Sequence, residues 1–118
     1  MAIIFGLKND KDWLNYQNEI NKAALKFTSL EVDYVETINY NEFEKEILNH
    51  KTLTIEQLYM LADLLFEKLN YYLYTQDFEK SESLKLKCKN IYRFVQNNLT
   101  QNEFNLDIYY KLSFLEKL

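Results

Sequence analysis

The stretch TIEQLYMLADLLFEKLNYYLY, residues 54–74, indicates most clearly how this chain folds. Its large apolar residues recur every three or four positions, which places them on one face of an α-helix. That face consists of Leu58, Leu61, Leu65, Leu69 and Tyr72. Thr54 and Gln57 have the spacing of a capping box, in which each side chain bonds the backbone N–H of the other residue. The stretch therefore predicts an amphipathic helix over 54–74.

The longest apolar seam lies in the first third of the chain. It predicts one helix over 10–38, with Asn9 or Asp10 as its cap. The seam keeps a spacing of three and four residues throughout, and its members are Trp13, Tyr16, Ile20, Ala23, Phe27, Leu30, Tyr34 and Ile38.

Residues 28–40 also allow a second interpretation. Thr28 and Ser29 can end the first helix, and Thr28 with Glu31 has capping-box spacing. The alternate positions that follow are mostly apolar, as in a strand: Leu30, Val32, Tyr34, Ile38 and Tyr40. We favour the continuous helix because the seam keeps its phase across Thr28 and because no partner strand is evident.

Further helices are predicted over 41–50, 77–97 and 101–117. Asp77 is the expected start of the second, and Thr100 with Glu103 has the capping-box spacing for the third. Connections of only a few residues between successive helices make them antiparallel neighbours. The pattern thus predicts an up-down helical bundle.

The composition supports the same fold class. The chain of 118 residues has no proline and one glycine, against average contents of about 5% and about 7%. Tight hairpin turns, glycine-rich phosphate loops and nucleophile elbows all depend on these residues. We therefore predict an all-α fold, an antiparallel bundle of four to five helices in a single domain over residues 1–118.

Charge and hydrophobicity place the chain among ordinary folded proteins. Its net charge is −4 and 47% of its residues are hydrophobic, which is enough for a packed core. The apolar opening over 1–7 is too short for a secretory leader, and no stretch is long enough to span a membrane. A single cysteine gives no disulfide framework, so a cytoplasmic location is expected.

A short motif occurs twice in the chain. Residues 41–45, NEFEK, recur as QDFEK at 76–80. The second copy resembles the turn and second-helix start of a tetratricopeptide repeat, although Gln76 stands at the turn glycine and Ser81 at the packing alanine of that family. The resemblance covers 62–95 and implies stacked helical hairpins, an alternative fold that serves as a peptide- or protein-binding scaffold. Ordinary helix-start chemistry explains the same residues without it.

Few residues have a pattern that suggests catalysis or metal binding. Cys88 lies between Leu84 and Ile91 on an apolar stripe, which predicts a buried core thiol. His50, the single histidine, follows Glu46 by one helical turn, too few ligands for a zinc or di-iron site. We therefore expect no metal, no cofactor and no catalytic residue.

Charged side chains are concentrated in two segments. Between 31 and 46 there are six acids against one lysine, and this acidic segment includes Asp33, Glu36, Glu42, Glu44 and Glu46. In the second segment, a basic stripe of Lys85, Lys89 and Arg93 recurs every four residues and is predicted to be exposed. A sequence pI near 5.0 argues against nucleic-acid binding, so a basic protein partner suits the acidic segment better.

Adjacent tyrosines provide the last candidates. Neighbours on a helix point about 100° apart, so one of each pair lies off the core face. Tyr71, Tyr74 and Tyr110 are the expected exposed members, and exposed tyrosine is common at protein interfaces.

These features favour a non-enzymatic protein–protein interaction module, such as an adaptor, inhibitor or immunity-type protein. It would bind a basic partner through the acidic segment and the exposed tyrosines. A second hypothesis is a homo-oligomer, such as a homodimer, in which the seam over 13–38 pairs between subunits and the acidic segment meets the basic stripe. A third is an enzyme or small-ligand binder with a pocket in the bundle.

Overall fold

The structure is a computed structural model and describes residues 10–48, 53–98 and 105–118, with side chains from residue 15 onward. These residues form no strand. Their α-helices, in chain order, are α1 (Asp10–Thr28), α2 (Val32–Thr37), α3 (Tyr40–Phe43), α4 (Ile55–Tyr74), α5 (Phe78–Asn97) and α6 (Leu106–Glu116). α3 continues as a π-helical segment (Glu44–Leu48). The all-α prediction is confirmed, with six α-helices in the described part of the chain instead of four or five.

The two central helices have nearly the predicted bounds because their caps are local. Thr54 donates its backbone N–H to Gln57 Oε1 at 2.8 Å, and Gln57 donates its own to Thr54 Oγ1 at 3.1 Å. Gln57 Nε2 also donates to the Phe27 carbonyl at 2.8 Å, which joins the start of α4 to the end of α1. Asp77 caps α5 by accepting the backbone N–H of Lys80.

The prediction of one continuous helix over 10–38 is wrong. α1 ends at Thr28, whose Oγ1 donates to the Ala24 carbonyl at 2.6 Å and accepts the Leu30 N–H at 3.2 Å. Ser29 has a φ of 62°, which turns the chain out of the helix. The residues that follow form α2 and not a strand, because Val32 and Val35, three positions apart, are both buried in the core.

The outer helices differ from prediction at their ends. The helix predicted over 41–50 is described as far as Leu48 and closes with π-helical geometry. The last helix begins at Leu106, with Asn105 Oδ1 accepting the Ile108 N–H at 3.0 Å. The predicted caps Asn9, Thr100 and Glu103 lie outside the described residues, as do the side chain of Trp13 and all of His50.

The hairpin of α4 and α5 is the centre of the fold. α4 packs against α5 more extensively than any other pair, α1 packs on another side of α4, and α6 packs on α5. The central core residues include Leu61, Leu65, Leu69, Leu84, Cys88, Ile91 and Val95. The predicted burial of Cys88 is confirmed, and burial raises the pKa of its thiol.

The turn between α4 and α5 gives a first testable prediction. Gln76 has a φ of 61°, while Asp77 N–H bonds the Tyr72 carbonyl and Gln76 N–H bonds the Leu73 carbonyl, as in a Schellman motif. Because a residue with a Cβ is strained in this conformation, Gln76→Gly should raise the free energy of unfolding by about 0.5–1 kcal/mol. Urea denaturation followed by circular dichroism measures the change. Gln76→Ala, which keeps a Cβ, is the control and should show no gain.

Candidate interaction surface

α6 is apolar on two opposite sides. Its inner side buries Ile108, Leu112 and Leu115. Its other side exposes four large apolar side chains: Leu106 (53%), Tyr109 (50%), Tyr110 (62%) and Phe114 (41%). A helix with large apolar side chains on two opposite sides is normally covered on both, so the exposed side of α6 is a candidate contact surface.

The exposed side chains form an ordered surface, which we call the outer face of α6. Leu106, Tyr110 and Phe114 recur every four residues and form one row, and Tyr109 with Ser113 forms a second row beside it. None of these five residues is charged. The acidic residues Asp107 and Glu116 border the face.

Polar contacts fix α6 on the rest of the fold. Lys111 Nζ lies 2.7 Å from Asp63 Oδ1 on α4 and 3.1 Å from Asp107 Oδ2. The Tyr92 hydroxyl donates to Asp63 Oδ1 at 2.6 Å, and the Tyr59 hydroxyl donates to Asp107. The carboxylates of Asp63 and Asp107 outweigh burial and raise the pKa of Lys111. The ammonium group therefore remains charged, and it joins α6 to α4.

Contacts between α4 and α6 follow a constant register. Tyr59 contacts Asp107, Asp63 contacts Lys111, and the Phe66 ring lies 5.6 Å, centroid to centroid, from Phe114. Each pair is 48 residues apart in sequence, so the two helices run parallel, with α5 antiparallel to both. On the other side, Arg93 Nη2 on α5 lies 2.9 Å from Glu116 Oε1.

Two predicted members of the acidic segment have an internal role instead. Asp33 and Glu36 both form ion pairs with Lys68 on α4, and Glu36 Oε1 lies 2.7 Å from its Nζ. The Tyr72 hydroxyl adds a bond to Glu36 Oε2 at 3.0 Å. Burial opposes the charge of Asp33, but Lys68 and Asn21 lower its pKa. Asp33 and Glu36 therefore hold α2 on α4, and their contact with a partner remains a prediction.

The other acids of the segment remain at the surface. Glu42, Glu44 and Glu46 are exposed on α3 and the π-helical segment, as is Glu31 before α2. Within the described residues, none of the four has an ion-pair partner. They leave a local excess of negative charge on this side of the molecule.

The predicted basic stripe is not an exposed stripe. The Lys85 side chain is 13% exposed and its Nζ lies 2.8 Å from Glu82 Oε2. Lys89 is half-buried, and Arg93 is paired with Glu116. Spacing alone placed these cations on one face, but contacts with acids neutralise two of the three.

The three predicted tyrosines have different environments. Tyr110 and Tyr74 are the most exposed tyrosines of the described residues, at 62% and 61%. Tyr71 is half-buried against the core, beside the ring of Tyr72, so its expected exposure is wrong. Contact of Tyr74 and Tyr110 with a partner remains a prediction.

Three buried charged residues were missed. Lys87 is 1% exposed and donates to the carbonyls of Val35 (3.2 Å) and Glu36 (2.6 Å) at the end of α2. Burial lowers the pKa of Lys87. Lys68 and Glu67 are buried as well, and Glu67 accepts the hydroxyl of Tyr16. Lys68 and Lys87 lie directly before core residues of their helices, Leu69 and Cys88, a sequence signal that could have identified these two.

A half-open cavity of about 200 Å³ lies between α2 and α5. Its lining residues are Glu36, Thr37, Lys80, Ser83, Leu84 and Lys87. The ammonium group of Lys87 is already bonded to two backbone carbonyls, and Glu36 is bonded to Lys68. Two of the three charged side chains of the lining are therefore used within the fold, and the third, Lys80, is largely exposed.

No helix in the described ranges is long and apolar enough to cross a membrane. The same ranges contain no group of three or more His, Cys, Asp or Glu side chains arranged to hold a metal ion. Comparison of the chain with protein-family models, with curated proteins and with solved structures found no match.

Buried phenols give a prediction about alkaline pH. Burial, followed by the bond to Asp107, raises the pKa of Tyr59 to about 12. Burial also raises the pKa values of Tyr72 and Tyr92, whereas an unfolded tyrosine titrates near pH 10. The folded state thus keeps more phenol protons above pH 10, and stability should fall as the pH rises beyond that value. The lowered pKa of Lys87 acts in the opposite direction, but the raised pKa values of Tyr16, Cys88 and Lys111 act in the same direction as the three phenols.

Urea midpoints measured from pH 8 to pH 11.5 test this dependence. We expect these phenols to leave the urea midpoint nearly unchanged below about pH 9.5 and to lower it steadily above pH 10. Tyr59→Phe should make the fall less steep, and Tyr74→Phe, at an exposed position, should leave the slope unchanged. A midpoint that rises above pH 10 would contradict the prediction.

Proposed function

We propose that this protein is a non-enzymatic protein–protein interaction module that binds a basic partner through the outer face of α6. The observation that carries the proposal is the uncharged apolar surface of that face. Its four large side chains are about half exposed, which leaves roughly 400 Å² open at about 200 Å² per side chain. Patches of this size on a monomer are often functional.

The charge of the chain indicates the kind of partner. The net charge is −4, and the exposed acids Glu31, Glu42, Glu44 and Glu46 have no ion-pair partner within the described residues. Their field attracts a basic protein and speeds its association, while apolar contact at α6 supplies affinity.

A second copy of the chain fits this surface less well. Two chains with a charge of −4 repel each other, and the basic stripe that would have met the acidic segment is largely paired within its own chain. The outer face offers about half of the roughly 800 Å² that each partner contributes to a stable interface. A partner of different shape can extend its contact beyond the face.

Affinity purification of the full chain from its source cells tests the proposal. Tyr110→Asp should abolish recovery of a stoichiometric basic protein, because it places a charge at the centre of the outer face. Tyr34→Asp is the matched control, since Tyr34 is also an exposed tyrosine, on α2 (48%), and recovery should be unchanged. The proposal fails if Tyr110→Asp recovers the same protein or if the wild-type chain recovers none.

A further inference from the structure

We infer that the outer face of α6 binds a single amphipathic α-helix with basic flanks, contributed by the partner. This inference rests on the proposed function and specifies the segment that the surface recognises. It depends on the shape of the two rows, on the secondary structure around them and on the charges at their borders.

The shape of the face suits a helix. The row of Leu106, Tyr110 and Phe114 follows the i, i+4 direction, which forms a ridge on a helix surface. It spans eight residues, or about 12 Å at 1.5 Å per residue. In the second row, Ser113 is the one small residue of the face and leaves room beside the ridge. A second helix can place an apolar side chain there and accept the ridge in its own groove.

The backbone of α6 favours a helix over a strand. A bound strand gains most of its affinity by pairing with the free edge of a sheet. Within the described residues there is no strand, and α6 uses its N–H and C=O groups inside the helix. Affinity at this face therefore comes from side-chain packing, for which a helix supplies an apolar stripe of matching period.

The borders of the face indicate the charge of the helix. Asp107 and Glu116 lie on opposite sides, with side chains 52% and 53% exposed. Each is already paired with one cation, Lys111 or Arg93, and Asp107 also accepts the Tyr59 hydroxyl, so these carboxylates supply only part of the negative charge. Lysine or arginine on both flanks of the apolar stripe would complement the net charge of −4 of the chain.

Titration of the 15N-labelled full chain with a synthetic helix tests the inference. The probe is a stapled 18-residue peptide with leucine and alanine on one face and lysine elsewhere. One control peptide has the same composition with the leucines dispersed around the helix, and a second has glutamate in place of lysine. We expect saturable binding of the probe, with NMR shift changes centred on residues 106–114 and at least about tenfold weaker binding for both controls.

Variants of the protein identify the surface used. Tyr110→Ala should weaken binding of the probe about tenfold, which corresponds to about 1.4 kcal/mol, and Tyr34→Ala should leave it unchanged. The inference would be overturned by no saturable binding up to 1 mM peptide, by shift changes confined to the exposed acids, or by equal binding of the dispersed peptide. These exposed acids are Glu31, Glu42, Glu44 and Glu46. Tighter binding of a proline-rich peptide or of phosphatidylcholine vesicles at residues 106–114 would also overturn it.

The two tests separate the inference from the proposed function. If Tyr110→Asp loses the partner in cells but the synthetic helix does not bind, the interaction module stands and the helical ligand is wrong. If Tyr110→Asp keeps the partner, the proposed function itself fails. Concentration-dependent self-association that Tyr110→Asp removes would assign the face to a second copy and overturn both.

Discussion

Replacing Asp33 and Glu36 together by their amides should lower the free energy of unfolding by about 3 kcal/mol. The Lys68 side chain is 3% exposed, and both of its carboxylate partners would be lost. Removing the partners of a buried charge typically costs about 3–5 kcal/mol, because the remaining charge is left without compensation. We expect a loss at the lower end of this range, since the amide oxygens of Asp33→Asn and Glu36→Gln still accept hydrogen bonds from Lys68.

Replacing Lys68 instead of its two partners should lower the free energy of unfolding much less. Lys68→Met keeps most of the apolar stem, and the Asp33 and Glu36 side chains, 48% and 21% exposed, can regain contact with water. We expect a loss of about 1 kcal/mol, and combining all three substitutions should recover most of the stability lost in the double amide variant. Urea denaturation at pH 7 measures each change.

Glu44→Gln is the control for the loss of an acid, because Glu44 is exposed on the π-helical segment. It should change stability by less than about 0.5 kcal/mol. The interpretation of Lys68 as a buried charge that needs its partners is contradicted if the double amide variant loses no more stability than Lys68→Met.

Tyr92→Ala should lower the free energy of unfolding by about 3–5 kcal/mol, as large-to-small changes of buried aromatic residues do. Tyr92 is fully buried on α5. Its ring lies edge-on to Tyr59 and Phe66 on α4, with centroids 6.2 and 6.4 Å away. Its removal leaves a cavity where α4, α5 and α6 meet.

Tyr92→Phe separates the hydroxyl from the ring. It removes the 2.6 Å bond to Asp63, but Asp63 keeps its ion pair with Lys111. The expected loss is therefore about 1 kcal/mol. Tyr110→Ala, at an exposed position on α6, should cost less than about 0.5 kcal/mol. If Tyr92→Phe costs as much as Tyr92→Ala, the hydroxyl and not the packing dominates at this site.

Elements with local signals were predictable from the sequence. The bounds of α4 and α5 follow from caps within three residues of each helix start. The end of α1 was missed because the apolar seam keeps its phase across Thr28 and Ser29. Contacts with residues far along the chain help to stabilise α2 as a separate helix. Asp33 and Glu36 pair with Lys68, and carbonyl groups of α2 accept hydrogen bonds from Lys87.

The candidate surface was predictable only in part. Tyr110 was identified because one of two adjacent tyrosines must leave the core face. The complete outer face depends on which side chains of α6 the rest of the fold leaves uncovered, and the spacing of residues within one helix does not show this. The exposure of Lys85 and Glu36 was misjudged for a related reason, because charge counts along the sequence do not include ion pairs formed by folding.

The constant register between α4 and α6 has a consequence for recognition. Three side-chain pairs at one sequence separation prevent α6 from sliding along its axis, because a shift of one turn would break all three. The backbone that carries the outer face is thus held in one position by the fold. If a partner binds there as proposed, association would cost this protein little conformational entropy, and most of the ordering cost would fall on the incoming chain.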